Sequence, residues 1–206
     1  MSRRKRVAAL ISGRGSNMAA LIEAARAADF PAEIALVLSN RPGAGGLETA
    51  AAAGVATAVV DHRAYPDRES FERAMQAELT RAAIDIVCLA GFMRLLSPWF
   101  VQCWEGRMLN IHPALLPAFK GLHTHERALA AGVRIHGCTV HLVTPGMDEG
   151  PILAQAALAV APGENAEALG ARVLALEHRL YPAALRRFIA PQTAQALQGD
   201  PIFAGL

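Results

Sequence analysis

The chain has 206 residues, a hydrophobic fraction of 53%, a charged fraction of 18% and a formal net charge of +2. This length suits one domain with a substantial buried core. No apolar run reaches the ~18 residues that span a bilayer, and the small net charge gives no electrostatic case for a nucleic-acid partner. Three widely spaced cysteines without a CxxC pair indicate reduced thiols in a cytoplasmic protein and argue against structural zinc.

Apolar runs that end at turn signals predict strands, and apolar residues at helical spacing predict helices between them. The predicted strands are residues 7–11, 34–38, 57–60, 84–90, 108–112, 136–143 and 152–160. The predicted helices are residues 18–28, 44–53, 69–83, a short one from 97–98, 126–131 and 166–189, the last interrupted or kinked near Pro182. Alternating strands and helices predict an α/β fold with a mostly parallel sheet, helices on both faces and an antiparallel C-terminal portion.

Three segments lie at the carboxyl ends of strands in this predicted sheet. They are residues 13–17, 91–96 and 110–112. Because ligands of parallel sheets bind outside the carboxyl ends of the strands, we expect these segments to share one site.

The first of these loops is a glycine-containing turn at the start of a helix. Such a turn gathers free backbone N–H groups and favours an anion. Met18 stands where the third glycine of a dinucleotide fingerprint would fall, so a phosphate monoester fits better than a cofactor pyrophosphate. The sequence equally allows a plain tight turn in which Ser16 or Asn17 caps the helix.

The strand at 108–112 places Asn110 and His112 two residues apart, so both side chains point to the same face. One hypothesis makes His112 a general acid or base tuned by Asp148, although Asp148 could equally cap its own turn. The other is a metal site, because five of the seven histidines lie within thirty residues (His112, His123, His125, His136 and His141). In that hypothesis His112, His123 and His125 are ligands and Asp148 completes the set.

The loop at 91–96 is apolar except for Arg94 and precedes a helix that Ser97 caps, with Pro98 in its first turn. An apolar loop with one arginine could line a pocket for a flat heterocycle. Packing of the same loop under a neighbouring helix is equally compatible with the sequence.

A set of motifs in fixed order resembles the phosphoribosylglycinamide formyltransferases, a family of folate-dependent enzymes of purine synthesis. The resemblance covers residues 7–190, nearly the whole chain, and the motifs are residues 11–17, 89–98, 109–117, 121–125, 137–141, 147–151 and 177–178. It implies a single formyltransferase domain with a Rossmann-like sheet over residues 1–190 and an irregular tail over 191–206.

The resemblance also implies the reaction. The family transfers the formyl group of 10-formyltetrahydrofolate, a co-substrate, to the amino group of glycinamide ribonucleotide. Asn110, His112 and Asp148 would form a catalytic trio that stabilises a tetrahedral oxyanion, without a metal or a covalent enzyme intermediate. The partners would be small molecules, with neither nucleic acid nor membrane involved, and the protein would be a monomer or homodimer.

Binding residues follow from the same motifs. The ribose phosphate would bind at Gly15, Ser16 and Asn17, and Glu177 would hold the amino group of the substrate. The folate-binding residues would be Arg68, Met93, Arg94, Leu95, Leu96 and Asn110.

Two positions depart from the family pattern: Pro145 replaces a usual acidic residue, and Leu174 replaces a polar one near the substrate phosphate. Methionyl-tRNA formyltransferase and formyltetrahydrofolate deformylase share the core, but they normally carry a further domain. Because the core is shared, another folate-dependent formyltransferase or a 10-formyltetrahydrofolate hydrolase is the first alternative. A second alternative, from a different class, is a non-catalytic folate- or nucleotide-binding module.

Overall fold

Seven strands and six α-helices follow one another in the computed structural model, which describes residues 3–190. The strands are β1 (Lys5–Ile11), β2 (Ala32–Ser39), β3 (Thr57–Val59), β4 (Ile86–Leu89), β5 (Met108–His112), β6 (Ile135–Leu142) and β7 (Ile152–Ala159). The helices are α1 (Ser16–Ala25), α2 (Gly45–Ala52), α3 (Arg68–Arg81), α4 (Pro98–Cys103), α5 (Thr124–Ala130) and α6 (Ala166–Ile189). Every helix in this range is too short or too polar to cross a membrane.

All seven strands form one sheet in the order β3-β2-β1-β4-β5-β6-β7. Strands β1 to β5 all run parallel, whereas β6 is antiparallel to both β5 and β7. The predicted α/β fold with a mostly parallel sheet and an antiparallel C-terminal portion is confirmed. Chain order reverses direction between β1 and β4, so the carboxyl ends of these strands flank a crevice suited to a ligand.

Strand β1 is apolar on both sides because both faces of the sheet are covered. Val7, Ala9 and Ile11 pack with α1, α2 and α6 on one face. Ala8 and Leu10 pack with α3 and α4 on the other. All five are fully buried, as expected for a central parallel strand between two helical layers.

Some predicted boundaries are wrong. Helix α6 continues through Pro182, so the predicted interruption is wrong, while a kink there stays a prediction. Proline lacks an N–H and typically costs a helix interior ~3 kcal/mol. Pro182 is buried, next to buried Tyr181. Strand β4 is shorter than residues 84–90, and α1 ends at Ala25 rather than at residue 28. The predicted tail, residues 191–206, lies outside the described residues.

Tyr181 joins α6 to the two strands that lead into the site. Its buried hydroxyl lies 3.1 Å from the carbonyl oxygens of both Leu89 and Leu109. We expect Tyr181→Phe to lower the free energy of unfolding by about 1–2 kcal/mol, because both buried carbonyls lose this donor. Urea unfolding measures the change. Tyr65→Phe, on a partly buried ring that packs against Phe71, is the matched control. An equal loss in both variants would contradict the assignment.

Candidate active site

The carboxyl end of β5 carries two of the predicted residues, Asn110 and His112. Strand β6 runs beside it in the opposite direction, so that His141 pairs with Asn110 and Thr139 pairs with His112. The loop after β6 then brings Asp148 to the same place. Four of these polar residues, from two strands and one loop, therefore meet at the carboxyl edge of the sheet: Asn110, His112, His141 and Asp148.

His112 has a hydrogen-bond acceptor at each ring nitrogen. Its Nδ1 lies 3.4 Å from Asp148 Oδ2, and its Nε2 lies 3.0 Å from the carbonyl oxygen of Phe119. A carbonyl and an ionised carboxylate can only accept, so both contacts are satisfied when both nitrogens carry protons. His112 is 5% exposed, so neither nitrogen readily finds a replacement partner in water. Both nitrogens of the ring are therefore held in place at the end of β5.

Asp148 is held as a carboxylate. The Gly121 N–H donates to its Oδ2 at 2.8 Å, and its Oδ1 lies 3.6 Å from His141 Nε2. Burial by itself raises the pKa of the Asp148 carboxyl. Its contacts with His141 and Gly121 and the nearby charge of His112 outweigh this effect and hold the pKa below its usual value of 3.8. Its strongest backbone contact is twenty-seven residues away in the chain, so Asp148 is more than a cap for its own turn.

The loop that carries Asp148 packs tightly against the end of β6. Asp148 has a φ of 53°, an uncommon value for a residue other than glycine. Gly150 lies so close to β6 that an added Cβ would stand 1.7 Å from the carbonyl oxygen of Leu142. A side chain at position 150 would push this loop away from the strand, and Asp148 would move with it.

His141 orients the Asn110 amide, a role that the sequence did not reveal. His141 Nδ1 donates to the carbonyl oxygen of Leu142 at 2.9 Å, which fixes the orientation of the ring. Asn110 Nδ2 lies 3.1 Å from that Nε2. This contact fixes the direction in which the Asn110 amide points. The role could have been predicted only from the pairing register of β5 and β6, which places His141 opposite Asn110.

Thr139 anchors the loop that follows His112, and it too went unnoticed in the sequence. Its hydroxyl donates to the carbonyl oxygen of Ala114 at 2.7 Å and accepts from the Leu116 N–H at 3.0 Å. Gln155 Nε2 donates to the carbonyl oxygen of Leu116 at 2.9 Å. This buried network fixes the direction in which the chain leaves His112.

The N-terminus of α1 forms the second part of the site. Gly15 caps the helix with a φ of 68°, so the alternative that Ser16 or Asn17 is the cap is wrong. An added Cβ on Gly15 would lie 2.9 Å from Met18 Cε and 3.3 Å from Gly46 Cα, which explains the glycine. No side chain caps this helix, so its first N–H groups are available to an anion.

Asn17 and Glu177 meet beside this helix end although 160 residues separate them. Asn17 Nδ2 donates to Glu177 Oε2 at 2.6 Å, and both residues are more than nine-tenths buried. Asn17 Oδ1 is buried without a hydrogen-bond partner. Burial raises the pKa of the Glu177 carboxyl above its usual 4.5, and the Asn17 amide opposes that shift. Leu174 lies about one helical turn before Glu177 on α6 and contributes no polar group there.

The apolar loop at 91–96 divides its side chains between two environments. Phe92 and Leu96 pack against the core cluster on the α3 and α4 face of the sheet. Met93 and Leu95 are 66% and 62% exposed. The loop is thus anchored from below and presents apolar side chains to solvent, which supports a pocket wall more than buried loop packing. Arg94 and Arg68, the first residue of α3, are also exposed.

The histidines proposed as metal ligands do not come together. His123 lies 3.7 Å from Glu126, and His125 contacts buried His136 at 3.2 Å, whereas His112 faces Asp148. Among residues 3–190, no group of three His, Cys, Asp or Glu side chains is arranged to hold a metal ion.

The chain is similar in sequence to known proteins over most of its length. The sequence model of the formyl transferase family matches residues 5–185. The chain is 44% identical over 182 residues to phosphoribosylglycinamide formyltransferase of Escherichia coli K12, covering 88% of this chain and 86% of that protein. It is also 48% identical over 193 residues to the human trifunctional purine biosynthetic protein adenosine-3. That match covers 94% of this chain but only 19% of the human protein.

Solved structures agree with the sequence matches. The crystal structure of phosphoribosylglycinamide formyltransferase from Brucella melitensis has a TM-score of 0.88 and 57% identity, covering 93% of this chain and 98% of that one. Glycinamide ribonucleotide transformylase 1 from Symbiobacterium toebii has a TM-score of 0.89 and 46% identity, covering 92% and 89%. At these identities the likeness extends beyond the fold to the sequence as a whole.

Proposed function

The chain belongs to the phosphoribosylglycinamide formyltransferase family, and from this membership we propose that it transfers the formyl group of 10-formyltetrahydrofolate to the amino group of 5-phosphoribosylglycinamide. This is a step of purine (IMP) biosynthesis. The observation that carries the proposal is the 3.4 Å ion pair of His112 with Asp148 beside the Asn110 amide. It lies at the carboxyl edge of the sheet, where the end of α1 and an exposed apolar loop can each receive one substrate.

The proposed chemistry is a direct attack. The lone pair of the substrate amine forms a bond to the formyl carbon, and the carbonyl electrons move onto oxygen. An N–H of the Asn110 amide donates a hydrogen bond to this oxyanion, worth about 3–4 kcal/mol in related acyl chemistry, and the positive charge of the His112 imidazolium stabilises it electrostatically. When the tetrahedral species collapses, the carbon–nitrogen bond to folate breaks and the folate nitrogen takes up a proton that the amine has lost.

Asp148 has an electrostatic role in this proposal. Its carboxylate compensates the charge of His112 and fixes the orientation of the ring. The Phe119 carbonyl holds the other ring nitrogen, so the imidazolium is oriented before substrate arrives. Proton transfer through His112 and a nearby water completes the cycle without a covalent enzyme intermediate.

The two substrates would bind on opposite sides of the trio. The free N–H groups of α1 at Gly15, Ser16 and Asn17 suit the ribose phosphate, and Glu177 can accept from the substrate amine. The exposed side chains of Met93 and Leu95 suit the flat pterin of folate. Further folate contacts are proposed for Arg68, Arg94, Leu96 and Asn110.

The cellular setting is part of the same proposal. We expect the protein to work in the cytoplasm on small molecules, as a monomer or homodimer, with the folate derivative as its co-substrate and no metal. The buried thiols of Cys88 and Cys138 fit reducing conditions, because burial raises the pKa of each well above its usual value.

A formyl-transfer assay tests the proposal. Purified protein is mixed with 10-formyltetrahydrofolate and 5-phosphoribosylglycinamide, and both the formylated ribonucleotide and tetrahydrofolate are quantified. Equal amounts of the two products are expected. Tetrahydrofolate and formate without a formylated amine would indicate the hydrolase alternative, whereas binding of either substrate without turnover would indicate a non-catalytic module.

Glu177→Gln should separate stability from function. The folded pKa of Glu177 is raised, so ionisation of this buried carboxyl disfavours folding once the pH exceeds its unfolded value of 4.5. The variant should therefore be more stable than wild type at neutral pH, with a gain that grows above pH 4.5 and then levels off. Urea unfolding across pH measures this. The same variant should weaken 5-phosphoribosylglycinamide binding by about tenfold or more, because a charged acceptor is lost.

Glu167→Gln, an exposed carboxyl in the first turn of α6, serves as the matched control. It should leave ribonucleotide binding within about twofold of wild type. A Glu177→Gln protein that binds the ribonucleotide normally would remove Glu177 from the substrate site.

A further inference from the structure

Ser12 is a buried hydroxyl with three connections at the carboxyl edge of the sheet. It directly follows β1 and is 6% exposed. Its backbone N–H donates to the carbonyl oxygen of Gly91 at 3.1 Å. Its Oγ lies 2.6 Å from Asn40 Oδ1 and 2.8 Å from the backbone nitrogen of Met93. One small residue thus joins the ends of β1, β2 and β4.

The direction of each hydrogen bond follows from the atoms involved. The Met93 N–H can only donate, so Ser12 Oγ accepts there and its own proton goes to Asn40 Oδ1. Asn40 is itself fixed, since its side chain is buried (1% exposed) and its backbone carbonyl oxygen lies 2.9 Å from His62 Nδ1. The hydroxyl of Ser12 therefore links Asn40, which is held in place, to the backbone N–H of Met93.

The hydrogen bond at Met93 restrains a part of the loop whose side chains are not held by the core. Met93 and Leu95 expose most of their side chains, so core packing does not fix them. Phe92 and Leu96 hold the loop from below, but only backbone contacts can set the residues between them. The Met93 N–H hydrogen bond is such a contact, and it lies where the exposed stretch begins.

We propose that Ser12 is a positioning residue that holds the 93–96 loop in the conformation that receives folate. This inference rests on the proposed function and assigns a role to a residue that touches neither substrate. Its physical basis is pre-organisation: a loop that is already ordered loses less conformational freedom when ligand binds. The Ser12 hydroxyl bonds Asn40 and Met93 and not the turn that leads to Gly15, so its loss should act on the folate loop and not on the phosphate turn.

Ser12→Ala tests the role directly. The dissociation constant for tetrahydrofolate, measured by calorimetry, and the KM for 10-formyltetrahydrofolate should both rise roughly five- to tenfold, the size of one net hydrogen bond. The kcat and the KM for 5-phosphoribosylglycinamide should stay within about twofold. A thermal scan establishes that the variant is folded.

Ser39→Ala is the matched control. Ser39 is fully buried at the end of the neighbouring strand β2, but its hydroxyl bonds only locally, to the carbonyl oxygen and N–H of Arg41. It should leave tetrahydrofolate binding within about twofold of wild type. If Ser12→Ala folds poorly, Ser12→Cys keeps the volume with a weaker acceptor, and a smaller increase confined to folate is expected.

An equal effect on both substrates, or equal effects of Ser12→Ala and Ser39→Ala on folate binding, would overturn the inference. These outcomes leave the proposed function standing as long as the wild-type protein transfers the formyl group. A wild-type protein that binds tetrahydrofolate without transfer would instead refute the proposed function, and calorimetry would still test Ser12.

Discussion

His112→Ala should lower kcat for formyl transfer by about 10³-fold or more. The imidazolium stabilises the developing oxyanion and carries a proton toward the folate nitrogen, and each of these effects is typically worth about two orders of magnitude or more. Alanine removes both. Steady-state kinetics at saturating concentrations of both substrates measure the change, and the KM values should move far less than kcat.

Binding and folding controls give that result its meaning. His112→Ala should bind tetrahydrofolate within a few-fold of wild type, since the proposed pterin wall is the 93–96 loop. A protein that is folded and binds but does not react places His112 in the chemical step. Wild-type turnover by a folded His112→Ala protein would remove the histidine from the mechanism altogether.

The second large effect is expected from Asp148→Asn, with a loss in kcat of about 10²- to 10⁴-fold. The amide is nearly isosteric and its oxygen can still accept the Gly121 N–H, so the loop should keep its shape. What disappears is the negative charge 3.4 Å from His112. Because the two residues act as a unit, the double variant with His112→Ala should be little worse than the worse single variant.

Glu149→Gln is the matched control for this loss. It removes a carboxylate from the neighbouring residue of the same loop, where Glu149 pairs with Lys120 at 2.9 Å on the surface. Its kcat should stay within about twofold of wild type. Comparable losses in the two variants would mean that the loop's net charge, and not the contact with His112, matters.

Asp148 should also contribute to stability in a pH-dependent way. Its pKa is lower in the folded protein than its usual 3.8, so its stabilising effect is complete above that pH and is lost as the pH falls through the folded value. The difference in unfolding free energy between wild type and Asp148→Asn should therefore shrink in acid. A difference that is constant across this range would contradict the direction of the shift.

Periodicity was enough to predict the fold and the edge at which the site lies. The apolar runs gave the strands, and the rule that ligands bind at the carboxyl ends of parallel strands pointed to the segments around Gly15, Met93 and His112. Residue spacing alone left the site without a reaction, because a phosphate turn and a helix cap share one sequence pattern. The family resemblance supplied the chemistry.

Contacts made by loops were harder to foresee. The reach of Asp148 to His112 depends on a positive φ at Asp148 and on the close approach of Gly150 to β6, and neither follows from local propensity. Asn17 and Glu177 meet because α6 packs beside α1 in the assembled core. The position of His141 required the pairing register of β5 and β6. Each of these is a consequence of tertiary packing.

The reversed direction of β6 constrains how this site can vary. A parallel neighbour would offer β5 only the loop at its end, whereas β6 presents Thr139 and His141 from within a hydrogen-bonded strand. Alternate residues of a strand face opposite sides. A one-residue insertion before Thr139 would therefore turn both side chains to the other face of the sheet. The number of residues in β6 is therefore constrained, and so is the length of the loop after it that brings Asp148 to His112.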